Sequence, residues 1–453
     1  MIIEFRVQNY RSFRSEQTLN FVASNYDKSL PENVIAPELP GLPDLKLVKA
    51  MALYGSNAGG KTNVLLALNL LRWLVVESAS GQKPDATLPV EPFALDNESS
   101  EQPTILHLTF VVEKVRYELA VAVTKERVVQ ERLVAYPGVH AQIWYDRIWD
   151  EETKSYGWSK DASRDFERDP GIVEKTRANA LFLSTAAQWN NTQVAPIYDW
   201  FSDKLLFLNL GPGGTLMHEY ALTAQMASGS DHRRKLVTDL MRSADFGVTN
   251  VSAREGIPAE GQKNALNALK SIARAGGVSS AFIPEKVWRV TLQHEGKDGA
   301  HFPIEWNNES AGTSRFFTVL GPWLSVVERN QVLCVDELDT SLHPSLVMEL
   351  LLLFFKHLDG KNAAQLIFTT HNPLLLDMTL LRRDQFWFAD KTQEGESFLY
   401  PLTDYKPRAD ESLVRGYLSG RYGAVPFIAN GLTAETEAEP KSENQTEKAV
   451  HAG

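Results

Sequence analysis

One short segment constrains the fold of this chain more than any other: residues 55–62, GSNAGGKT, match the pattern G-x-x-x-x-G-K-[ST]. The apolar run 47–54 before it predicts one continuous buried strand, and apolar residues from Val64 onward recur at helical spacing. Glycines between a strand and a helix let successive main-chain N–H groups point into one concavity, which binds phosphate at the helix N-terminus. The alternative is a glycine-rich turn that only caps a helix. With this strand and helix on either side, we expect a phosphate-binding loop.

The loop and its neighbours form the first set of candidate site residues. In a loop of this pattern, Lys61 is expected to reach the β- and γ-phosphates of a nucleotide, and Thr62 is expected to hold Mg²⁺. The residues expected to contact the nucleotide here are Gly55, Ser56, Asn57, Ala58, Gly59, Gly60, Lys61, Thr62 and Asn63.

Two later segments place polar side chains directly after apolar strands. Residues 332–335, VLCV, are followed by Asp336 and Glu337, and residues 366–370 are followed by His371. Ligands in open α/β sheets bind outside the carboxyl ends of the strands. Asp336 is therefore the expected Mg²⁺ partner, Glu337 is placed to polarise an attacking water, and His371 can hydrogen-bond the γ-phosphate. Each also has a structural alternative, since acidic residues after an apolar run and a lone histidine after a strand are both common.

Composition limits the class of protein. The 453 residues include 57 Asp and Glu against 46 Lys and Arg, and the net charge of −11 argues against a surface built mainly for nucleic acid. The single cysteine, Cys334, cannot form an intramolecular disulfide, and the charged Glu4 and Arg6 interrupt the N-terminus where a secretory signal needs an apolar stretch. No apolar stretch of the sequence reaches the roughly 18 uncharged residues that span a bilayer. We therefore expect a cytoplasmic protein with no membrane partner.

The hydrophobic pattern divides the chain into four parts. Alternating residues between 90 and 158 predict an antiparallel meander, and helical spacing predicts helices at 231–244 and 262–275. The Glu-rich end of the chain has no aromatic residue and predicts a disordered tail. The predicted parts are a first α/β segment at 1–79, an insertion of meander and helices at 80–284, a second α/β segment at 285–427 and the tail at 428–453.

A fourth signal completes an ordered set of motifs. Within ESAGT at 309–313, Ser310 can cap the apolar helix that follows, and a simple helix cap is the alternative to a functional role. The order of phosphate loop, helix cap, Asp-Glu strand and strand before His371 resembles the ATP-binding-cassette (ABC) type of ATPase head, in the branch of SMC, RecF and overcoming-lysogenization-defect (OLD) proteins. The segments that resemble this branch's opening turn, signature motif, Walker B with D-loop, and switch histidine are NYRSF at 9–13, ESAGT at 309–313, CVDELDTSLHP at 334–344 and FTTHNP at 368–373.

The resemblance implies a fold, cofactors and an assembly. The fold is an α/β P-loop ATPase head, a mixed sheet with flanking helices, split by a globular α+β insertion. ATP and Mg²⁺ would bind between two heads, so that Ser310 and Gly312 of one chain complete the site of the other. The D-loop residue Asp339 would lie at the same interface. A homodimer of heads, or a larger homo-oligomer, is therefore expected.

The resemblance also implies roles for individual residues. Lys61, Glu337 and His371 are the expected catalytic residues. Arg11, in the opening turn, would contact the nucleotide, unless it is an ordinary surface arginine. Three further segments resemble parts of stand-alone bacterial ATPases of this branch, and core packing is the default expectation for the first two: RANALFLSTAAQWNN at 177–191, ADFGV at 244–248 and YLSGRYGAVP at 417–426.

Three functions agree with these observations. The leading hypothesis is a Mg²⁺-dependent ATPase that acts as sensor or scaffold in bacterial anti-phage defence and controls a separate effector protein, such as a Toprim-like nuclease. Its size and motifs resemble the ATPase of the PARIS defence system, and because only a short segment follows residue 427, we expect no fused Toprim domain. The second hypothesis is a RecF-like repair ATPase that clamps DNA, which the acidic charge disfavours. The third is a scaffold held together by ATP with negligible turnover.

Overall fold

The architecture was obtained from a computed structural model, and two sheets dominate it. The structure describes residues 1–210, 216–244, 246–256, 263–264, 267–268, 287–355, 363–408 and 411–425. The predicted helix at 262–275 and the predicted tail at 428–453 lie outside the described residues, apart from four positions of the former.

A mixed sheet at the centre carries the candidate site. All neighbouring strands in it are parallel except the last pair, which is antiparallel. Within the described residues its six strands lie in the spatial order β11 (Leu205–Leu208), β15 (Val332–Val335), β16 (Gln365–Thr369), β5 (Ala50–Gly55), β17 (Phe386–Lys391) and β18 (Ser397–Pro401). Because β5, β15 and β16 are parallel, their carboxyl ends meet at one edge of the sheet.

The predicted meander is confirmed, and it is part of a larger sheet. Within the described residues the seven antiparallel strands are, in spatial order, β10 (Ser155–Trp158), β9 (Gln142–Asp150), β8 (Val128–Tyr136), β7 (Val115–Val123), β6 (Thr104–Val112), β1 (Ile2–Gln8) and β2 (Gln17–Asn20). The first strand of the chain pairs with β6, with Phe5 opposite Leu108. The boundary predicted between residues 79 and 80 therefore does not separate two sheets.

The expectation of one continuous strand over residues 47–54 was wrong, because two strands meet there. β4 (Leu47–Val48) pairs antiparallel with β3 (Val34–Ile35), whereas β5 begins at Ala50. Lys49 lies between them: its N–H donates to the Asn33 carbonyl at 2.8 Å, and its carbonyl accepts from the Leu366 N–H at 2.8 Å. The apolar run 47–54 thus pairs with β3 before Lys49 and with the central sheet after it. Hydrophobicity alone does not reveal such a change of partner.

A third sheet crosses the other predicted boundary. Its strands β12 (Val248–Gly256), β13 (Val287–Glu295) and β14 (His301–Glu305) are antiparallel. The strands β12 and β13 lie on opposite sides of the boundary predicted at 284/285, so that boundary falls between two paired strands.

Helices flank these sheets on both sides. The helix predicted after the phosphate loop and the one predicted at 231–244 are confirmed. The described α-helices are α1 (Lys61–Glu77), α2 (Asn97–Glu101), α3 (Pro170–Lys175), α4 (Phe182–Gln188), α5 (Ala195–Asp199), α6 (Leu216–Ser228), α7 (Asp231–Ser243), α8 (Ala311–Arg329), α9 (Pro344–Phe355) and α10 (Leu413–Leu418). None of the helices in the described part of the chain is both long and apolar enough to cross a membrane.

Two hydrophobic cores share the central sheet. One lies between α1 and the meander sheet and includes Leu65, Leu71 and Phe110. The other packs α8 and α9 on the opposite side and includes Trp323 and Phe354. The arrangement confirms the predicted α/β class of a P-loop ATPase head, with a mixed sheet between layers of helices.

Candidate nucleotide-binding site

The phosphate-loop candidate lies between β5 and α1, as predicted. Its glycines are required because the neighbouring strand β17 approaches the loop closely. A Cβ atom on Gly55 would lie 2.3 Å from the main-chain oxygen of Ala389, which is far inside van der Waals contact. Gly60, the N-cap of α1, has a φ of 107°, which L-residues rarely adopt. Only glycine therefore fits both ends of the loop.

Ala58 adopts a backbone conformation that is more usual for glycine. Its φ is 62°, in the left-handed region. For an L-residue this conformation costs about 1–2 kcal/mol, and surrounding contacts must hold it. The backbone of the loop is thus the one that a glycine would adopt, and alanine is tolerated in it.

Lys61 is buried beneath the loop, with 6% of its surface exposed. Its Nζ donates to the main-chain oxygens of Gly55 at 2.9 Å and Ser56 at 3.0 Å. Burial lowers the pKa of Lys61 to about 8, although the nearby carboxylates of Asp336, Glu337 and Asp339 raise it. The ammonium group is therefore held in place, and its positive charge is only partly balanced by the groups around it. This suits it to a negatively charged ligand.

Thr62 and Asp336 come together from positions 274 residues apart. The Thr62 Oγ1 lies 3.1 Å from Oδ1 and 3.0 Å from Oδ2 of Asp336. Thr369, on β16, donates its hydroxyl proton to Asp336 Oδ1 at 2.7 Å. Hydroxyl and carboxylate oxygens are the hard ligands that Mg²⁺ prefers, and it usually takes one or two carboxylates with substrate phosphates and water. The chemistry of this donor set fits Mg²⁺.

Glu337 follows with an unusual backbone. Its φ is 47°, and its N–H donates to the Thr369 hydroxyl at 2.7 Å. The side chain is exposed, and its Oε2 accepts a hydrogen bond from the Thr340 hydroxyl at 3.1 Å. The carboxylate thus stands at the sheet edge next to Asp336, open to solvent water.

His371 lies just beyond β16 at the same edge. Burial lowers the pKa of His371, and the positive charge of Lys61 lowers it further, whereas Asp339, Glu337 and Asp336 raise it. The net direction is downward, so the imidazole is neutral at neutral pH and can act as a donor or acceptor. The structure therefore brings the three predicted catalytic side chains of one chain to one edge of the central sheet.

The predicted signature residues begin the helix α8. Ser310 is its N-cap, and its Oγ accepts from the Thr313 N–H at 3.1 Å. A Cβ on Gly312 would lie 3.3 Å from the Ser341 oxygen, so the start of this signature helix packs against the D-loop of the same chain. Among the described residues, no hydrogen bond joins Ser310 to the phosphate loop of its own chain. One oxygen of Asp339 in the D-loop is buried without a hydrogen-bond partner in the described part of the structure.

The opening turn meets the phosphate loop through Ser12. The Ser12 Oγ accepts from Asn63 Nδ2 at 2.7 Å and would lie 3.3 Å from a Cβ on Gly60. Arg11, by contrast, pairs its guanidinium with Glu91, with 2.8 Å between Nη2 and Oε1. A role for Arg11 at the nucleotide stays a prediction.

Two residues at the site were missed by sequence reasoning. Thr369 lies inside the quoted FTTHNP motif, so its position after the strand was visible although its role was not. Asn209, after β11, belongs to no motif, yet its Nδ2 donates to the Asp336 main-chain oxygen at 3.0 Å.

The segments without an assigned chemistry have packing roles. In the first, Arg177 donates to the carbonyls of Ser78, Ala79 and Gln82 at the end of α1, at 2.8–3.0 Å. In the second, the Phe246 ring lies 5.6 Å from that of Phe316 on the signature helix, and Asp245 lies outside the described residues. The third packs Tyr417 against Tyr54 and Phe388 of the central sheet, and its last residue is not described.

Comparison with known proteins gives a family. The sequence profile of the family described as "AAA domain, putative AbiEii toxin, Type IV TA system" matches residues 50–377, more than half of the chain. No curated protein matches the sequence.

Solved structures of SMC heads are similar at low identity. An SMC head bound to the C-winged helix domain of ScpA is 11% identical, with 89% of this chain and 99% of that chain covered and a TM-score of 0.43. The SMC head domain from Thermotoga maritima is also 11% identical, with 88% and 98% covered and a TM-score of 0.35. An SMC head with an extended coiled coil, bound to the C-terminal domain of ScpA derived from Pyrococcus furiosus, is 11% identical. The match covers 89% of this chain and 97% of that chain, with a TM-score of 0.35.

Proposed function

The chain belongs to the family of ATP-binding ATPases described as "AAA domain, putative AbiEii toxin, Type IV TA system", and we therefore propose that it hydrolyses ATP to ADP and phosphate. One observation carries the proposal: the Thr62 hydroxyl lies 3.0 Å from the Asp336 carboxylate, beside a buried Lys61. Nucleotide hydrolysis by P-loop proteins needs these three groups together, because catalysis rests on positioning and on neutralising phosphate charge.

The residues of the loop would bind the triphosphate. Main-chain N–H groups of the loop and the Lys61 ammonium would contact the phosphate oxygens. Thr62 and Asp336 would hold Mg²⁺, which, when bound, neutralises charge on the β- and γ-phosphates. In forming that complex, Lys61 would exchange its two carbonyl acceptors for phosphate oxygens.

Glu337 and His371 would act on the attacking water. Glu337 orients a water in line with the bond between the γ-phosphorus and the bridging oxygen, and takes up its proton as the new P–O bond forms. The bridging bond breaks and its electron pair stays on ADP. The neutral His371 imidazole hydrogen-bonds the γ-phosphate or the water and keeps both in line.

We expect two chains to form the complete site. Ser310 and Gly312 of one chain would close the nucleotide of the other, with Asp339 at the same interface. The contact between Gly312 and the D-loop supports this, because it places both motifs on one surface. The unpaired buried oxygen of Asp339 also supports it, because such a group costs free energy unless a partner satisfies it.

We further propose that the ATPase serves bacterial anti-phage defence and controls a separate effector, such as a Toprim-like nuclease, in the manner of PARIS-type systems. The motif resemblance supports this role, as does a family description that names a toxin–antitoxin system. Co-purification with the product of the neighbouring gene, with and without ATP, tests it. ATP-dependent retention of a toxin-like neighbour is expected, whereas DNA-stimulated turnover without such a partner would favour a RecF-like repair ATPase.

The turnover itself is tested with two substitutions. Lys61→Ala should abolish nucleotide binding or turnover, because the phosphate charge loses its buried counter-charge. Glu337→Gln should keep ATP binding but stop hydrolysis, because the amide cannot accept the proton of the water. Binding is measured with a fluorescent ATP analogue and turnover by phosphate release.

An exposed glutamate provides the matched control. Glu394→Gln, in a surface turn, removes the same charge without touching the site and should hydrolyse ATP at the wild-type rate. Unchanged turnover in Glu337→Gln would refute its role as general base, and turnover in Lys61→Ala equal to wild type would refute the site as a whole.

A further inference from the structure

The backbone at Glu337 needs support that the strand ladder does not supply. Its φ of 47° is unfavourable for a glutamate and persists only where neighbouring groups hold it. Two hydrogen bonds hold the peptide group between Asp336 and Glu337 from opposite sides. Thr369 accepts from its N–H at 2.7 Å, and Asn209 Nδ2 donates to its carbonyl oxygen at 3.0 Å. Asn209 is therefore one of the two groups that hold the peptide from which the Glu337 side chain projects.

Asn209 is itself oriented by the signature helix. Its Oδ1 accepts from Arg315 Nη1 at 2.9 Å, which leaves its Nδ2 to face Asp336. If the amide were turned over, its NH₂ group would face the guanidinium donors and its oxygen would face a carbonyl. Arg315 thus fixes which end of the amide reaches the Asp336–Glu337 peptide. It lies on α8, five residues after Ser310.

The surroundings of Arg315 are unusual for a structural arginine. Only 7% of it is exposed, yet its Nε and Nη2 have no hydrogen-bond partner among the described residues. Its counter-charge, Glu219 on α6, is 2% exposed and lies 4.0 Å away. The main-chain N–H of Asn209 faces the Glu219 carboxylate, but no closer hydrogen bond from the described residues reaches either of its oxygens. Among the described residues, Arg315 donates one hydrogen bond, to Asn209. Because a buried charge with so few bonds is costly, this hydrogen bond is the contact to explain.

The helices α6 and α8 pack closely against each other behind this contact. A Cβ on Gly321 would lie 2.5 Å from Thr223 Oγ1, and the Gly321 N–H donates to that oxygen at 2.8 Å. Glu219 and Arg315 face each other across this pair, with 4.0 Å between Oε2 and Nη1. Asn209, by contrast, follows β11 of the central sheet. The bond between Arg315 and Asn209 is where the helix pair meets the sheet edge that carries Glu337.

We infer that Arg315 and Asn209 are positioning residues for the general base: they hold the Asp336–Glu337 peptide and so link the signature helix to hydrolysis in the same chain. The inference rests on the proposed ATPase function. Because Ser310 and Gly312 begin the same helix, a shift of α8 when a partner's nucleotide binds is transmitted through Arg315 and Asn209 to Glu337.

The first experiment separates turnover from binding. Asn209→Ala should lower kcat by about 10- to 100-fold, as expected for a lost orienting group, and leave the Kd for ATP within about twofold of wild type. Glu337→Gln should show no steady-state turnover; in long single-turnover reactions, whatever slow hydrolysis it retains should be slowed no further by adding Asn209→Ala, since the group that Asn209 positions is gone. The exposed Asn250→Ala is the matched control and should turn over normally. Wild-type kcat in Asn209→Ala, or an equal further loss in the double variant, would overturn the inference.

A second experiment tests whether Arg315 affects turnover only by stabilising the fold. Arg315→Met leaves Glu219 buried and unpaired, so both Tm and kcat should fall. Arg315→Met with Glu219→Gln removes that charge and should recover most of the Tm while kcat stays low. Recovery of kcat together with the Tm would show a purely structural role. Arg233→Met, at an exposed arginine of α7, controls for loss of charge.

The two proposals fail in different ways. If wild type and Lys61→Ala release phosphate equally slowly, the ATPase function itself fails. If wild type hydrolyses ATP and Lys61→Ala does not, while Asn209→Ala matches wild type, only the positioning role fails.

Discussion

At the scale of single residues, close approach of backbones decides what the site can contain. The main-chain oxygen of Ala389 excludes a side chain at Gly55, while Lys61 is placed beneath the loop and bonded to its carbonyls. The lysine is thereby kept in a poorly solvated position before any nucleotide arrives. Its protonation, and with it the affinity for phosphate, is set by that burial.

A pH dependence of ATP binding follows at this scale. Burial lowers the pKa of Lys61 to about 8 in the free protein, and bound phosphates would raise it again. Below that pH the ammonium is already formed, so affinity should be flat. Above it, binding requires uptake of one proton, so affinity should fall by up to about tenfold per pH unit. Calorimetric titrations with ATP between pH 7 and 9.5, in buffers of different ionisation enthalpy, measure how ATP affinity changes with pH and how many protons are taken up on binding.

Lys61→Arg is the control for this slope. Its guanidinium stays charged throughout the range, so its affinity, whatever its absolute value, should not fall above pH 8. A wild-type affinity that is flat up to pH 9.5 would contradict the lowered pKa of Lys61.

At the scale of elements, one buried carboxylate joins the meander sheet to the start of α4. Glu131 on β8 is fully buried and accepts the N–H groups of Phe182 and Leu183 at 2.6 and 2.9 Å. Arg147 on β9 pairs with it at 3.1 Å, and Tyr145 donates to it at 2.9 Å. The segment before α4 contains Arg177, which holds the end of α1, so the sheet, α4 and the phosphate-loop helix are fastened together.

We expect Glu131→Ala to destabilise the protein strongly. It would leave the guanidinium of Arg147 buried and unpaired, and the helix N-terminus uncapped, which together should cost about 3–5 kcal/mol of unfolding free energy. Urea unfolding followed by tryptophan fluorescence measures the loss. The exposed Glu152→Ala, in the turn after β9, should change stability by no more than about 0.5 kcal/mol. A loss below 1 kcal/mol in Glu131→Ala would show that this carboxylate does not fasten the elements.

At the scale of the whole molecule, the predicted nucleotide-binding motifs of one chain lie in two separate groups. The phosphate loop, Asp336 and His371 meet at the carboxyl ends of β5, β15 and β16, while the signature helix begins beside the D-loop. The proposed dimer would bring these two surfaces together around each nucleotide.

The dimer can be tested by mass. Glu337→Gln with Mg²⁺ and ATP should give about twice the mass found without nucleotide in light scattering, since bound ATP joins two heads and is not hydrolysed. Ser310→Arg in the same background should prevent the increase, because the arginine fills the surface offered to the partner's nucleotide. Ser155→Arg, at the exposed edge strand β10, should not. Equal masses with and without ATP would contradict the dimer.

Residue patterns alone predicted the parts of the candidate site whose chemistry is local. A loop of glycines before a helix, two carboxylates after an apolar strand and a histidine after another each have meaning within about ten residues, and parallel strands bring their ends to one edge. The strand break at Lys49 and the pairing of β1 with β6 depend on the tertiary structure, because the hydrophobic pattern of an apolar run does not show which strand it will pair with. The same holds for Asn209: its bonds to Arg315 and to Asp336 span 106 and 127 residues. An asparagine after a short strand carries no pattern, and only the folded backbone places it where it can orient the peptide before Glu337.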